Sequence, residues 1–394
     1  FGLIMVLSAS SISSMQAGAS PWSVAERQAL WMALATAAFW LTSHVDYRRW
    51  RAVSRLCLGA CVLALMAVLV PGLGVSVDGS SRWLGVGSLR VQPSELAKLA
   101  VLLFVADLLT RRAARAGDWR ATLRPVAIVF GVVALLVMAQ PDMGTTLVLG
   151  CIVVALCWAG GVRAKSLAVL LSGLAGAALV LGMAAPYRRA RLLSFLHPWS
   201  HRLTSAYQLV ESLVGVSSGH VLGAGLGAST VKWGFLPNPY TDFIFAVIGN
   251  ELGLVGTLGT LAIYGALAWL GLRAAAVAPD RFGALVATGV TAWLVGQAMV
   301  NIGVTIGILP VTGVPLPFIS FGGSSLVIEM AAAGILANVA AQGRRRRSAV
   351  PSTVPARSAP SPRSAPSPRS APSAPSPVRA GRADSISRGA RRGS

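Results

Sequence analysis

Ten stretches of this chain are apolar for about the 17 to 25 residues that a helix needs to cross a bilayer, and nothing else in the sequence limits the fold so tightly. They lie near 1–16, 27–45, 55–71, 94–110, 125–140, 144–160, 167–185, 243–271, 283–308 and 325–342. Composition agrees: 54% of the 394 residues are hydrophobic, 12% are charged, and the mean hydropathy is +0.67. Most of the apolar surface must therefore meet lipid rather than a water-facing core. The expectation is an all-α integral membrane protein of about ten transmembrane helices. The first apolar run is already under way at Phe1 and no basic region precedes it, so it reads as a truncated first helix rather than a removable leader. Cys57, Cys61, Cys151 and Cys157 fall in or beside apolar runs without metal-ligand spacing to histidines and read as small apolar side chains.

A net charge of +21 suggests nucleic acid until it is divided along the chain. From Arg344 to Ser394 there are twelve arginines and one acid, Asp384, so that segment holds +11 and the rest +10. Residues 343–394 are a Ser, Ala, Pro and Arg tail with too little apolar surface to offset the entropy of ordering it, and are expected to be disordered on the cytoplasmic side. The tail reads as a solvated arm near anionic membrane lipid, or as a docking or phospho-regulated arm. Neither reading requires nucleic acid. Residues 1–342 form the polytopic unit. Arg48, Arg49, Arg51 and Arg55, then Arg111 to Arg124, Arg163 with Lys165, Arg273 with Arg281, and Arg344 to Arg347 fall on one side by alternation. The positive-inside rule makes that side the cytoplasm and puts both termini there. The outer side then receives 72–92, the turn near Pro141, a large loop at 186–241 and the loop at 308–325. The large loop carries Arg188, Arg189, Arg191, Arg202 and Lys232, which calls for its own account.

Ionisable residues at membrane depth are costly and point to function. Glu95 and Lys98 lie three apart on one helix face, either as an ion pair closing the bundle or facing a ligand. Asp142 precedes a helix at an outer turn and reads as an N-cap. Glu251 and Glu329 sit deeper, where pairing would serve structure. In LPNPYTDFIFAVIGNELG, Pro237 and Pro239 hold the approach extended and present Asp242 at the outer boundary, as a cap for the eighth span or as a working carboxylate. Outer Arg and Lys side chains could hold phosphate oxygens while that carboxylate takes a proton. No soluble nucleotide site is implied, because GAGLG at 223–227 lacks the dinucleotide spacing and no phosphate-binding loop occurs.

Six segments carry a family resemblance: SSRWLGVGSLRVQPSELAKLA at 80–100, QPDMGTT at 140–146, SFLHPW at 194–199, YQLVESL at 207–213, KWGFLPNPYTDFIFAVIGNELGLVG at 232–256, and NIGVTIGILPVTGVPLPFISFGGSS at 301–325. In that order they resemble the SEDS proteins (shape, elongation, division and sporulation), the FtsW/RodA polymerases of bacterial peptidoglycan, over residues 1 to about 342. The KWGFLPN wording and the long tail look more like the actinobacterial division branch than the elongation branch. The resemblance implies a glycosyltransferase that polymerises lipid II into β-1,4-linked glycan at the outer face of the cytoplasmic membrane, at the division septum, releasing undecaprenyl pyrophosphate. It implies Asp242 as the catalytic carboxylate. For substrate binding it implies Arg82, Trp83, Gln92, Glu95, Lys98, Asp142, Arg191, Lys232, Ser320 and Ser324. Mg²⁺ or another divalent cation is a candidate cofactor with no metal ligands assigned, and no nucleotide is needed. Partners would be lipid II, the nascent glycan strand, a class B penicillin-binding transpeptidase and other division proteins. Tyr240, Asn250, His197 and Phe321 depart from the family's usual His, Glu, Asp and Tyr, which puts substrate contacts near Tyr240 and His197 in question. The rival readings are a lipid II flippase and an inactive scaffold that recruits the transpeptidase.

Overall fold

The computed structural model describes residues 1–349 apart from 78–79, 87–88, 117, 185–188, 191–193, 230, 234–235 and 238. The expected disorder of the tail, from residue 350 on, lies outside the described residues. Among the described residues, the main elements in chain order are the α-helices and strands α1 Gly2–Gln16, α2 Ser23–His44, α3 Tyr47–Leu69, β1 Val75–Val77, β2 Ser80–Val86, β3 Leu89–Val91, α4 Pro93–Arg111, α5 Arg124–Ala139, α6 Met143–Ala159, α7 Ala164–Ala184, α8 Tyr207–Ser218, α9 Ile244–Val277, α10 Arg281–Thr305 and α11 Gly323–Ala349. Each of the ten apolar stretches falls on a helix. Among the described residues, five helical segments are long and apolar enough to cross a membrane by themselves: Tyr47–Leu69, Trp119–Ala139, Ile244–Val277, Arg281–Thr305 and Gly323–Ser348. The fold is that of an integral membrane protein, since such lengths of outward apolar surface need lipid.

Helix starts follow local chemistry. Asp46 accepts from the N–H of Arg48 at the start of α3, Asp142 from that of Thr145 at α6, and Asp280 from that of Gly283 at α10. Pro93 occupies the first turn of α4, where its missing N–H is not required. Burial pushes the Asp280 carboxyl up, but the Gly283 N–H, the Tyr47 hydroxyl and the Arg48 guanidinium outweigh it and hold the group below its ordinary range.

α4 is the axis of the larger core. It is buried along nearly its whole length, with Leu102, Leu103 and Val105 packed among Leu156 of α6 and Val286, Val290 and Trp293 of α10. At one end its Asp107 carboxylate is held by Arg51 at 2.7 Å and Arg111 at 2.8 Å. A second core joins Met5, Val6 and Ala9 of α1 to Phe243–Ile248 and Ile302.

α9 is broken at Gly253, whose φ of +63° and ψ of −154° belong to a region that glycine alone occupies without strain. The freed backbone groups are satisfied from outside the helix, as lipid-depth backbone requires. Ala224 and Gly225 donate to the carbonyls of Asn250 and Glu251 at 2.9 and 3.0 Å, while the N–H groups of Leu254 and Val255 donate to His220 and Val221 at 3.0 and 3.3 Å. A Cβ at Gly253 would lie 2.4 Å from the nitrogen of Gly223 and 2.5 Å from the carbonyl oxygen of Val221. The inserted loop therefore needs glycine on the helix it enters.

Three features add to the expected all-helical pattern. A three-stranded antiparallel sheet, in the order β1-β2-β3, lies in the segment expected to be an outer loop. α8 lies inside the expected loop 186–241. α11 runs on to Ala349, beyond the expected boundary at 342, with Gly343 packed on Val277 and Arg346 donating to the Pro279 carbonyl.

Candidate functional site

The hairpin, the α5–α6 turn, the α10–α11 loop and the start of α9 meet at the end of the bundle where α4 begins. Arg82 on β2 donates from Nε to the carbonyl of Gln140 at 2.9 Å and from Nη2 to that of Pro141 at 2.6 Å. It thereby ties the hairpin to the carbonyl end of α5, where a cation is favoured. Trp83 is half-buried beside it and pairs in register with Val75. Gln92 bridges three elements: its side chain donates to Asp142 Oδ2 at 3.2 Å and to Ser94 at 3.0 Å, and its N–H donates to Ser324 Oγ at 3.2 Å. Asp142 also accepts the Thr145 N–H at 3.0 Å and the Thr145 hydroxyl at 2.8 Å, and is buried. It has the expected N-cap geometry, with the Gln92 contact in addition.

Asp242 stands one residue before the cap position of α9, which Phe243 holds. It is half-buried. Its peptide carbonyl accepts from Asn301 Nδ2 at 2.7 Å, and the same amide donates to the Val314 carbonyl at 2.7 Å. Ser320 fixes the other side, donating to the Thr241 carbonyl at 2.6 Å while accepting the Leu316 N–H at 2.8 Å. Gly313, with φ +73°, lies so close that a Cβ there would be 3.5 Å from Asp242 Oδ2. The 308–322 loop thus forms one wall around the carboxylate. Phe318 in that loop has φ +64°, a strained conformation for a bulky residue. Its N–H donates to Glu329 at 3.1 Å, and the Tyr264 hydroxyl donates to the neighbouring Pro317 carbonyl at 2.5 Å.

Below this layer is a buried polar chain. Lys98 Nζ lies 2.8 Å from Glu95 Oε2 and donates to Gln297 Oε1 at 2.8 Å. Gln297 Nε2 donates to Glu329 at 2.8 Å and to the Pro315 carbonyl at 3.0 Å. Lys98 is 1% exposed and its ammonium also lies 5.1 Å from the Trp293 ring centre. Two carboxylates, one ammonium and one amide therefore join α4, α10 and α11 to the loop beside Asp242. Lys232 lies elsewhere, 2% exposed at the α9 break, 3.2 Å from Glu251 Oε1 and 2.6 Å from the Gly227 carbonyl. Ser8 of α1 donates to both oxygens of Glu251, at 2.6 and 2.8 Å. This pair closes the break from inside. Arg191 lies outside the described residues.

The structure therefore gathers Arg82, Trp83, Gln92, Asp142, Ser320, Ser324 and Asp242 around one mouth, seats Glu95 and Lys98 beneath it, and sets Lys232 apart. Gln297 and Asn301 escaped the sequence reading. Their signal was present, because two amides four residues apart on an otherwise apolar helix share one face. Among the described residues no three His, Cys, Asp or Glu side chains sit together as metal ligands. The described residues of this mouth therefore supply no three-ligand set of that kind for a divalent ion.

The FtsW/RodA/SpoVE model, described as cell cycle protein, matches residues 1–345. The chain belongs to this FtsW/RodA/SpoVE family. Stage V sporulation protein E of Bacillus subtilis strain 168 is 41% identical over 345 residues, covering 87% of this chain and 94% of that one. A probable peptidoglycan glycosyltransferase FtsW of Thioalkalivibrio sulfidiphilus is 42% identical, covering 86% and 85%. Among solved structures, a chain of a peptidoglycan synthase complex that coordinates polymerization and crosslinking aligns with TM-score 0.70 at 30% identity, covering 86% and 96%. Thermus thermophilus RodA aligns with TM-score 0.61 at 28% identity, covering 86% and 95%. Within this FtsW/RodA/SpoVE member, two of the unusual residues are in contact. The Tyr240 and Phe321 rings meet edge to face at 5.8 Å, and the Phe321 N–H donates to the Tyr240 carbonyl at 2.8 Å. Asn250 anchors α8, donating to the Gly215 carbonyl at 3.0 Å and to Ser218 at 2.7 Å. His197 is exposed at the turn before Pro198–His201.

Proposed function

We propose that this chain is a peptidoglycan glycosyltransferase that polymerises lipid II, with Asp242 as its general base. The observation that carries the reading is the placement of Asp242. A family member holds this carboxylate half-buried at a mouth built from four separate elements, with its backbone pinned by Asn301 and the adjoining Thr241 carbonyl held by Ser320. Asp242 takes the proton of the acceptor GlcNAc 4-hydroxyl as that oxygen bonds to the anomeric carbon of the donor MurNAc. The bond from that carbon to the pyrophosphate oxygen breaks, with inversion, and undecaprenyl pyrophosphate leaves. Arg82 is the part-exposed described cation at this mouth among those named from the sequence, and its charge favours the departing phosphates. Lys98 acts from beneath, by holding the loop wall through Gln297. The relatives' names and the polymerization and crosslinking of the synthase complex support the chemistry and a class B transpeptidase partner. The setting is the outer face of the cytoplasmic membrane at the division septum.

Asp242→Asn tests the assignment with purified chain, its transpeptidase and lipid II. Asn keeps the size and the acceptor oxygen but cannot take a proton. Loss of a general base lowers the rate by about 10²–10⁴-fold, whereas a helix-capping role is worth about 0.5–2 kcal/mol of stability. The expected outcome is a folded variant that makes almost no glycan beside an active wild type. Wild-type polymerisation by the variant would leave Asp242 a structural residue.

A further inference from the structure

At the end of the bundle away from Asp242, where α4 stops and α5 and α7 begin, a cavity of about 590 Å³ is lined by Ala114, Arg115, Asp118, Trp119, Arg163 and Ser166. It lies at a span boundary, since Trp119 opens the apolar segment Trp119–Ala139. Trp119 is 44% exposed, at a depth where indole rings favour the headgroup layer. Arg115 and Arg163 line the cavity from different segments of the chain, and among the described residues neither guanidinium makes a hydrogen bond or an ion pair. Two neighbouring arginines are occupied, since Arg111 holds Asp107 and Arg112 donates to the Ala121 carbonyl. The cavity's one acid, Asp118, already accepts the N–H groups of Arg120 at 2.9 Å and Ala121 at 3.2 Å. What remains is a pair of uncommitted forked donors, a Ser166 hydroxyl and an indole around a space of ligand size.

We propose that this cavity is a binding site for a phosphate-bearing group, in the membrane the headgroup of an anionic phospholipid. The guanidiniums take the phosphate oxygens, and Trp119 packs on the glycerol and upper acyl carbons. Two segments joined only through α5 and α6 are thereby bridged by one ligand, which fixes the ends of α4 and α7 relative to each other. A neutral zwitterionic lipid satisfies the site less well, because its own ammonium competes for the phosphate.

The test uses the full chain in nanodiscs and reads Trp119 as the difference in fluorescence between wild type and Trp119→Phe. Brominated phosphatidylglycerol diluted into phosphatidylcholine should quench the Trp119 signal beyond its bulk share, while brominated phosphatidylcholine should not. Arg115→Ala with Arg163→Ala should weaken the phosphatidylglycerol preference about thirtyfold, at roughly tenfold per 1.4 kcal/mol for two interfacial cations. Inorganic phosphate added to lipid-free detergent micelles separates the sources. Protection of Trp119 from acrylamide by phosphate alone, lost in the double variant, would identify a soluble phosphate site, whereas no protection beside lipid quenching identifies the headgroup. Equal quenching by both lipids together with no phosphate protection, or a double variant that behaves as wild type, would overturn the proposal. The readout is independent of glycan synthesis, so it stands or falls apart from the role of Asp242.

Discussion

Lys98 and its partners show how a polar residue can serve a site without touching its mouth. Its ammonium stands among Glu95, Gln297 and Trp293, and Gln297 passes the connection to Glu329 and to the Pro315 carbonyl. Lys98→Met leaves Glu95 and Glu329 buried without a cation, and breaking such a pair costs about 3–5 kcal/mol. A large fall in thermal midpoint in detergent is the expected result. The exchange Glu95→Lys with Lys98→Glu keeps the net charge but moves the ammonium one helical turn, away from Gln297. It should regain part of the stability and little polymerisation. Full recovery of both would show that only the charge sum matters here. The i, i+3 spacing of Glu95 and Lys98 was legible in the sequence. The partner of Gln297 was not, because its spacing from Asn301 marks a shared polar face but carries no mark of which buried group that face meets.

At the scale of elements, the break in α9 decides the most. One apolar stretch from 243 to 271 reads as a continuous span, yet Gly253 divides it and admits the loop from α8. Gly253→Ala forces a side chain into a backbone region worth about 1–3 kcal/mol of strain, and its Cβ overlaps Val221 and Gly223 as well. The variant should unfold several degrees lower and expose 219–225 to protease. Gly259→Ala on the same helix is the control: nothing lies within 4 Å of the added carbon. It should be neutral or more stable by up to about 1 kcal/mol, the helix propensity difference. Equal behaviour of the two variants would mean that the break tolerates side chains. The cap at Asp142 was readable as an acid followed by an apolar run. The sheet at 75–91 was not, since its strands are short and lie among glycines and serines like those of a loop.

For the whole molecule, every proposed role depends on which face of the membrane each loop occupies. In a variant lacking the four native cysteines, Ser217→Cys should react with a membrane-impermeant thiol reagent on intact cells, whereas Ala114→Cys should not. Both positions are exposed on the protein. Labelling at Ala114 alone would reverse the orientation and remove the Asp242 mouth from the outer leaflet. The sequence by itself determined that the chain lives in a membrane, where its long apolar helices fall, and which motifs mark the family. Those properties depend on local composition and spacing: about 20 apolar residues need lipid wherever they pack. Only the tertiary structure decided that Lys232 closes the α9 break with Glu251, that Arg82 holds the α5–α6 turn, and that Asn301 and Ser320 pin the backbone around Asp242. Each of those contacts joins residues 19 to 79 positions apart, and a partner at that separation is fixed by how the helices pack, which no single stretch of sequence encodes.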